Sequence, residues 1–208
     1  MQQQIQYPEN YRQFNTQYPR SEVVSGMLWD TIAFTNATLQ LTFFTVAKAT
    51  VDLSNMIIGG QLPYPMAFLV RSIRLFLKQR PESANVVAPA GTQVGAVNNI
   101  ALLYNTGSFQ ITVGAKQYGI YPLWILSSGG GPYGFMNVIN ILIAGGMADY
   151  GGMGTPHSRN AFTLAQPLFI EPQMSFKVDL YWPAALALTR TPLPLCVAFE
   201  GDLIRAVQ

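Results

Sequence analysis

Hydrophobic and polar residues alternate through several stretches of the chain. The clearest is SFKVDLYW (175–182), where Phe176, Val178, Leu180 and Trp182 face one way and Ser175, Lys177, Asp179 and Tyr181 the other. SFQITV (108–113) likewise separates Phe109, Ile111 and Val113 from Ser108, Gln110 and Thr112. ATLQLTFFTV (37–46) sets Leu39, Leu41 and Phe43 against Gln40 and Thr42. In MAFLVRSIRLFLKQ (66–79), Ala67, Leu69, Ile73, Leu75 and Leu77 share a side that Arg71 interrupts. A period of two demands a sheet with one packed face and one more polar face.

Further strand candidates are VNNIALLY (97–104), YPLWIL (121–126), FMNVINILIA (135–144), NAFTLAQPLFI (160–170) and PLCVAFEGDLIRAVQ (194–208), about nine in all. FMNVINILIA also has helical spacing at Phe135, Val138, Ile139 and Leu142, but its β-branched residues favour a strand. Glycine- and proline-rich turns such as GGQLPYP, NTGS, GGMGTPHS and TRTPLP separate these runs. The pattern predicts an all-β chain, a single jelly-roll sandwich of about eight strands over residues 27–208.

Residues 1–26 differ, with six Gln, two Pro and no periodic burial, and are read as an extended N-terminal arm. Tyr7, Tyr11, Phe14 and Tyr18 recur there at three- and four-residue spacing, which makes them candidate subunit contacts. An arm that orders on a neighbouring subunit and a plain disordered tail both fit this composition.

Charge sharpens the picture. Half of the 208 residues are hydrophobic, ample for one core, yet only 11% are charged, against ~25% in ordinary soluble domains. Such a chain either hides much of its surface against other chains or covers it with neutral polar side chains. The net charge is +2 and the basic residues are scattered. Their densest group, Arg71, Arg74, Lys78 and Arg80, reads as a solvated strand end, and no basic arm suited to a nucleic-acid backbone is present. The single cysteine, Cys196, lies in an apolar run as a small buried hydrophobe and has no partner for an intrachain disulfide. MQQQIQYPEN lacks the basic and apolar regions of a secretory signal, and the apolar stretch 138–148 is broken by Gly145 and Gly146, so a cytoplasmic product is expected.

GGGPYG (129–134) matches G-x-G-x-x-G letter for letter, with Asp149 where a ribose-binding acid would be sought. Only 14 residues separate Gly134 from Asp149. A crossover with its helix takes at least ~10–12 residues, which leaves no room for a second strand. The motif is therefore read as a loop between strands, and no cofactor is expected. The only histidine, His157, sits in a turn-like segment, which excludes clustered-histidine metal sites. A Cys196–His157 couple is formally available but places its thiol in a buried strand. The ten carboxylates are spread singly. No catalytic residue, metal site or small-molecule substrate is expected, and the chain is not read as an enzyme.

SFQITVGAKQYGIYPLWIL (108–126), PLFIEPQMSFKVDLYW (167–182) and VAFEGDLIRAVQ (197–208) resemble segments of the jelly-roll major capsid proteins of tailless icosahedral viruses. The resemblance is to the tectivirus–adenovirus lineage and its single-jelly-roll relatives in bacteriophages with an internal membrane. The last two segments are similar to the strands that close such a barrel, with a hairpin at Ile170–Met174. What the resemblance implies is a self-assembling icosahedral shell protein, located in the virion after assembly in the host cytoplasm. The implied partners are further copies of the chain, a second capsid protein, and membrane lipid or viral genome on the inner face. At 208 residues there is room for one barrel, which excludes the double barrel of larger members. The alternative is a carbohydrate- or receptor-binding jelly roll, a spike or lectin-like module, using Tyr64, Tyr133 or Tyr150 near its loops.

Overall fold

A computed structural model describes residues 11–13, 21–77, 96–126, 139–141, 146–148, 161–188 and 191–206. Among these residues ten strands run in chain order: β1 (Ser21–Phe34), β2 (Gln40–Phe43), β3 (Met66–Leu77), β4 (Ser108–Val113), β5 (Lys116–Pro122), β6 (Ile139–Ile141), β7 (Gly146–Ala148), β8 (Phe162–Ile170), β9 (Phe176–Tyr181) and β10 (Leu193–Ala206). Eight of them form two antiparallel four-stranded sheets, β1-β10-β3-β8 and β2-β9-β4-β5, while β6 pairs with β7. The fold is an all-β sandwich, as the alternation predicts.

The inward rows of the two sheets interdigitate. Phe109, Ile111 and Val113 of β4 and Phe176, Val178 and Leu180 of β9 meet Leu195, Val197 and Phe199 of β10 in one continuous core. Phe44 stacks on Phe199 at 5.0 Å and tilts against Phe176 at 5.4 Å. β1 lies over β2 on one flank, where Phe34 meets Trp182 edge-on at 4.7 Å. On the opposite flank β8 lies over β5, with Phe162 reaching Phe109 at 6.3 Å and Tyr121 at 6.1 Å.

Several expectations need correction. VNNIALLY belongs to an α-helix, α1 (Ala96–Thr106), not a strand. Its alanines and leucines are strong helix formers, and its C-terminal carbonyls find partners. The Trp182 indole donates to the Leu103 carbonyl at 3.0 Å, and the Thr106 hydroxyl donates to the Leu102 carbonyl at 2.6 Å. Tyr104 is fully buried and donates to the Leu75 carbonyl at 3.1 Å, so α1 closes one end of the sandwich. Burial pushes the Tyr104 phenol far above its ordinary pKa, so it remains a donor.

In YPLWIL, the strand ends at Pro122 and a 3-10 turn follows at Leu123–Leu126. Ile170–Met174 is not a hairpin: it carries the chain from β8 in one sheet to β9 in the other. β1 begins at Ser21, so residues 21–26 are sheet rather than arm.

The Arg71 interruption in β3 is a β-bulge. Arg71 is the extra residue opposite the Glu200–Gly201 step of β10. The bulge swaps the faces of the strand. Phe68 and Val70 point inward before it, as Ile73 and Leu75 do after it, while Ala67 and Leu69 turn to the outer face. Gly201 makes this possible, because a Cβ there would lie 1.9 Å from the Leu69 carbonyl oxygen. Gly201→Ala is accordingly expected to destabilise the fold by about 2 kcal/mol or more, read as a lowered midpoint in urea denaturation, whereas Gly119→Ala, whose Cβ comes no nearer than 3.4 Å to its first neighbour, the Tyr121 side chain, should cost far less.

Candidate assembly surfaces

The outer face of the first sheet is divided in two. At one end Ala67, Leu69, Phe169 and Ile204 form a second, smaller apolar cluster outside the main core. Tyr11 covers it, its ring meeting Phe169 edge-on at 5.5 Å. Of the four predicted arm aromatics, Tyr11 is thus placed on the sandwich; Tyr7, Phe14 and Tyr18 lie outside the described residues.

Beyond the bulge the same face is ionic. Arg71 pairs with Asp202, Arg74 meets Glu200 at 2.7 Å, and the Ser72 hydroxyl donates to Glu200 at 2.9 Å. Arg74 is nearly buried. The two arginines are therefore cross-strand partners of β10 carboxylates rather than a solvated strand end; Lys78 and Arg80 lie outside the described residues. Cys196 is buried in β10, as its apolar run suggests.

The flank formed by β1 and β2 is organised by a carboxylate that the sequence does not single out. Asp30 lies in the inward row of β1, 1% exposed. Its Oδ2 accepts the Phe44 backbone N–H at 2.7 Å, and its Oδ1 meets Lys48 Nζ at 2.5 Å. Lys48 also donates to the Thr31 carbonyl. Phe44 sits in the left-handed region at φ 69° while its ring is wholly buried, and Gly60 donates to its carbonyl at 2.5 Å. A bulky residue holds such a conformation only when its surroundings over-determine it. Here the carboxylate, the Gly60 N–H and the aromatic stack do so together.

The loop from 44 to 65 is then laid along the outer edge of β1. Trp29 N–H donates to Asn55 Oδ1 at 2.9 Å, Asn55 N–H returns to the Trp29 carbonyl at 3.3 Å, and Asn55 Nδ2 reaches the Met27 carbonyl at 2.7 Å. The Trp29 indole donates to the Val51 carbonyl at 2.9 Å. These bonds occupy backbone groups that an edge strand would otherwise offer to another chain.

A second buried carboxylate, Asp179, lies on the outer face of the other sheet. It accepts from Thr42 Oγ1 at 2.6 Å and Gln40 Nε2 at 3.1 Å and pairs with Lys177 at 2.8 Å. Desolvation pushes its pKa up, but these hydrogen bonds and the Lys177 charge outweigh it and hold the carboxyl below its ordinary value.

No known protein family matches this chain, and neither does any curated protein or solved structure. What the surfaces can do therefore rests on their own chemistry. Among the described residues no three His, Cys, Asp or Glu side chains gather as a metal site, and no helix is long and apolar enough to cross a membrane. The buried carboxylates are each saturated by structural partners. Tyr64 is exposed; GGGPYG, Tyr133, Asp149, Tyr150 and His157 lie outside the described residues.

Asp30→Ala should destabilise the fold by about 3 kcal/mol, because it strips a buried N–H and an ammonium of their acceptor. Asp30→Asn should lose less, since the amide oxygen still accepts from Phe44; both are read by chemical denaturation. For Asp179 the sign is that of a depressed carboxylate. Its contribution is present above the ordinary carboxylate pKa and is lost as pH falls through the lower folded value. Asp179→Asn should therefore lower stability near neutral pH by about 1–2 kcal/mol and flatten the loss seen in wild type as pH is lowered.

Proposed function

We propose that the chain is a structural shell subunit, a capsid protein that assembles with further copies of itself through its barrel sides and its N-terminal arm. The strand pairing supports a jelly-roll topology. β1 pairs with β10, β2 with β9, β3 with β8 and β4 with β5, as in one long antiparallel ribbon folded at its middle. Rolling that ribbon adds the β10–β3 and β9–β4 contacts and divides it into two four-stranded sheets. A fold alone does not specify a function.

The observation that carries the reading is the Tyr11 socket. The sandwich has a complete core between its sheets, yet it also builds an apolar site on an outer face and places an aromatic of the N-terminal segment in it. A chain with only 11% charged residues and an outer socket for its own terminus is suited to life packed among copies. Closed symmetry repeats each contact between copies and so multiplies a modest gain per interface. A second capsid protein, and lipid or genome on the inner face, are the further partners this reading entails.

Because β1 starts at Ser21, the informative truncation removes residues 1–20 and spares the strand. It should leave the β circular-dichroism signal and cooperative unfolding intact while reducing particle yield at least tenfold by light scattering and electron microscopy. Tyr11→Ala in the full chain should reproduce part of that loss. Undiminished assembly after truncation would remove the arm from the mechanism, and a stable monomer that binds a glycan would replace the shell reading altogether.

A further inference from the structure

The arm does not dock on the strand it continues. It enters the sheet at Ser21 of β1, an edge strand, while the socket that holds Tyr11 is built from β3, β8 and β10. An apolar row joins the two places. Ala67, Ile204 and Val23 pair in register across β3, β10 and β1 and so share the outer face. Ala67 and Ile204 are covered, but Val23, at the sheet edge, is 52% exposed. The described bonds from the 44–65 loop to β1 fall between Met27 and Thr31, away from this end of the strand.

Distance does not assign the socket to one chain. Gln13 and Ser21 are eight residues apart, a link that extends to about 27 Å. Phe169 is the farthest member of the socket. By register it pairs with Leu69, Leu69 with Asp202 and Asp202 with Ser25, three strands across the sheet and four residues along from Ser21. That is about 20 Å at the usual strand spacing and rise. The link is longer than its own socket requires, and it starts at an edge, so a copy lying beside that edge comes within the same reach. Tyr11 stays partly exposed and enters the socket by one ring. The contact can therefore open and re-form without disturbing the main core, which lies on the other side of the sheet.

We infer that the Tyr11 socket is an exchangeable latch, which takes the arm of its own chain in the free subunit and the arm of a neighbouring copy in the assembly. The inference rests on the shell reading and names what the arm does there. The contacts broken and made in the exchange are the same, so relative concentration and geometry decide it, not chemistry. A short tether holds a chain's own Tyr11 at an effective concentration in the millimolar range. Copies in dilute solution cannot compete with that, and the free subunit keeps its apolar socket covered. Side by side in a shell, a neighbour's arm is tethered at a comparable effective concentration. Each exchanged arm then ties two copies together without loss of a contact. The latch guards the socket before assembly and fastens the copies after it.

The test uses the full chain with Tyr11 replaced by p-benzoylphenylalanine, a photoreactive aromatic that bonds covalently to whatever holds it. Irradiated while monomeric, the chain should link to its own socket and run on a denaturing gel at the 22.9 kDa of one chain. Irradiated in assembled particles, it should give multiples of that mass, with the between-chain fraction raised about tenfold or more. Peptide mapping should place the link on β3, β8 or β10 in both cases. Ala67→Glu, which sets a charge on the socket floor, should abolish both products. Phe169→Ala takes its place if Ala67→Glu lowers the denaturation midpoint. Particles that give only within-chain links, or between-chain links that map away from the socket, overturn the exchange and leave the shell reading standing. A chain that stays monomeric at all concentrations overturns the shell reading, and the exchange with it.

Discussion

One buried carboxylate holds the two sheets in register at their shared edge. Asp30 projects from β1 in the first sheet, accepts the Phe44 N–H just past the end of β2 in the second, and neutralises Lys48 from the loop beyond. Burying a carboxylate costs several kcal/mol unless it is paired and hydrogen-bonded. Here every partner it needs comes from one short stretch of chain that must bend sharply to supply them. The bend is the left-handed Phe44, and the ring it turns inward stacks on Phe199 and tilts against Phe176 at the centre of the core. Polar satisfaction and core packing are therefore one event.

The same constraint shapes the outside. With Phe44 fixed and Gly60 returning to its carbonyl, the intervening loop is a closed excursion with its two ends held together. Its middle is free only to lie along β1, where Asn55 and Trp29 bind it. The aliphatic residues it displays are held in place by polar contacts beneath them. The bulge at Arg71 does similar work on the outer face of the first sheet. By reversing the faces of β3 at mid-strand it puts Leu69 outside beside Ile204 and Phe169 and gathers Arg71, Arg74, Glu200 and Asp202 beyond them. One extra residue, admitted by one glycine, separates an apolar socket from an ionic patch on a single sheet.

These two features also decide what could be read from the sequence. β4 and β9 were legible because each keeps one apolar row unbroken, and β10 because its inward row of Leu195, Val197 and Phe199 survives opposite the bulge. β1 was hidden by its own function. Its inward row runs Gly26, Leu28, Asp30, Ile32 and Phe34, and the carboxylate that anchors the fold breaks the hydrophobic pattern that would have announced the strand. β3 was visible but its faces were not, since a bulge shifts the period without changing composition. The helix α1 reads as a strand in sequence because Val97, Ile100 and Tyr104 suit either structure, and the partner that terminates it, Trp182, is 79 residues away from Leu103. The arm aromatics were visible as a spacing, yet nothing local could reveal that Tyr11 faces a socket built from β3, β8 and β10.

A monomer bearing this surface would face a conflict. Edge strands invite uncontrolled pairing, and natural sheets usually blunt them with charge, but a chain with 22 charged residues in 208, 12 basic and 10 acidic, has little to spend there. Its described ion pairs lie mostly elsewhere, across β3 and β10 and on the face around Asp179, where they fix register. The β1 edge is instead sealed by its own loop, which replaces open backbone hydrogen-bonding groups with aliphatic side chains. That exchange converts a promiscuous edge into a shaped surface. Backbone pairing accepts almost any strand at any register, whereas an apolar relief accepts only a matching one. For the shell subunit proposed above, removing the indiscriminate contact is as necessary as creating the selective one.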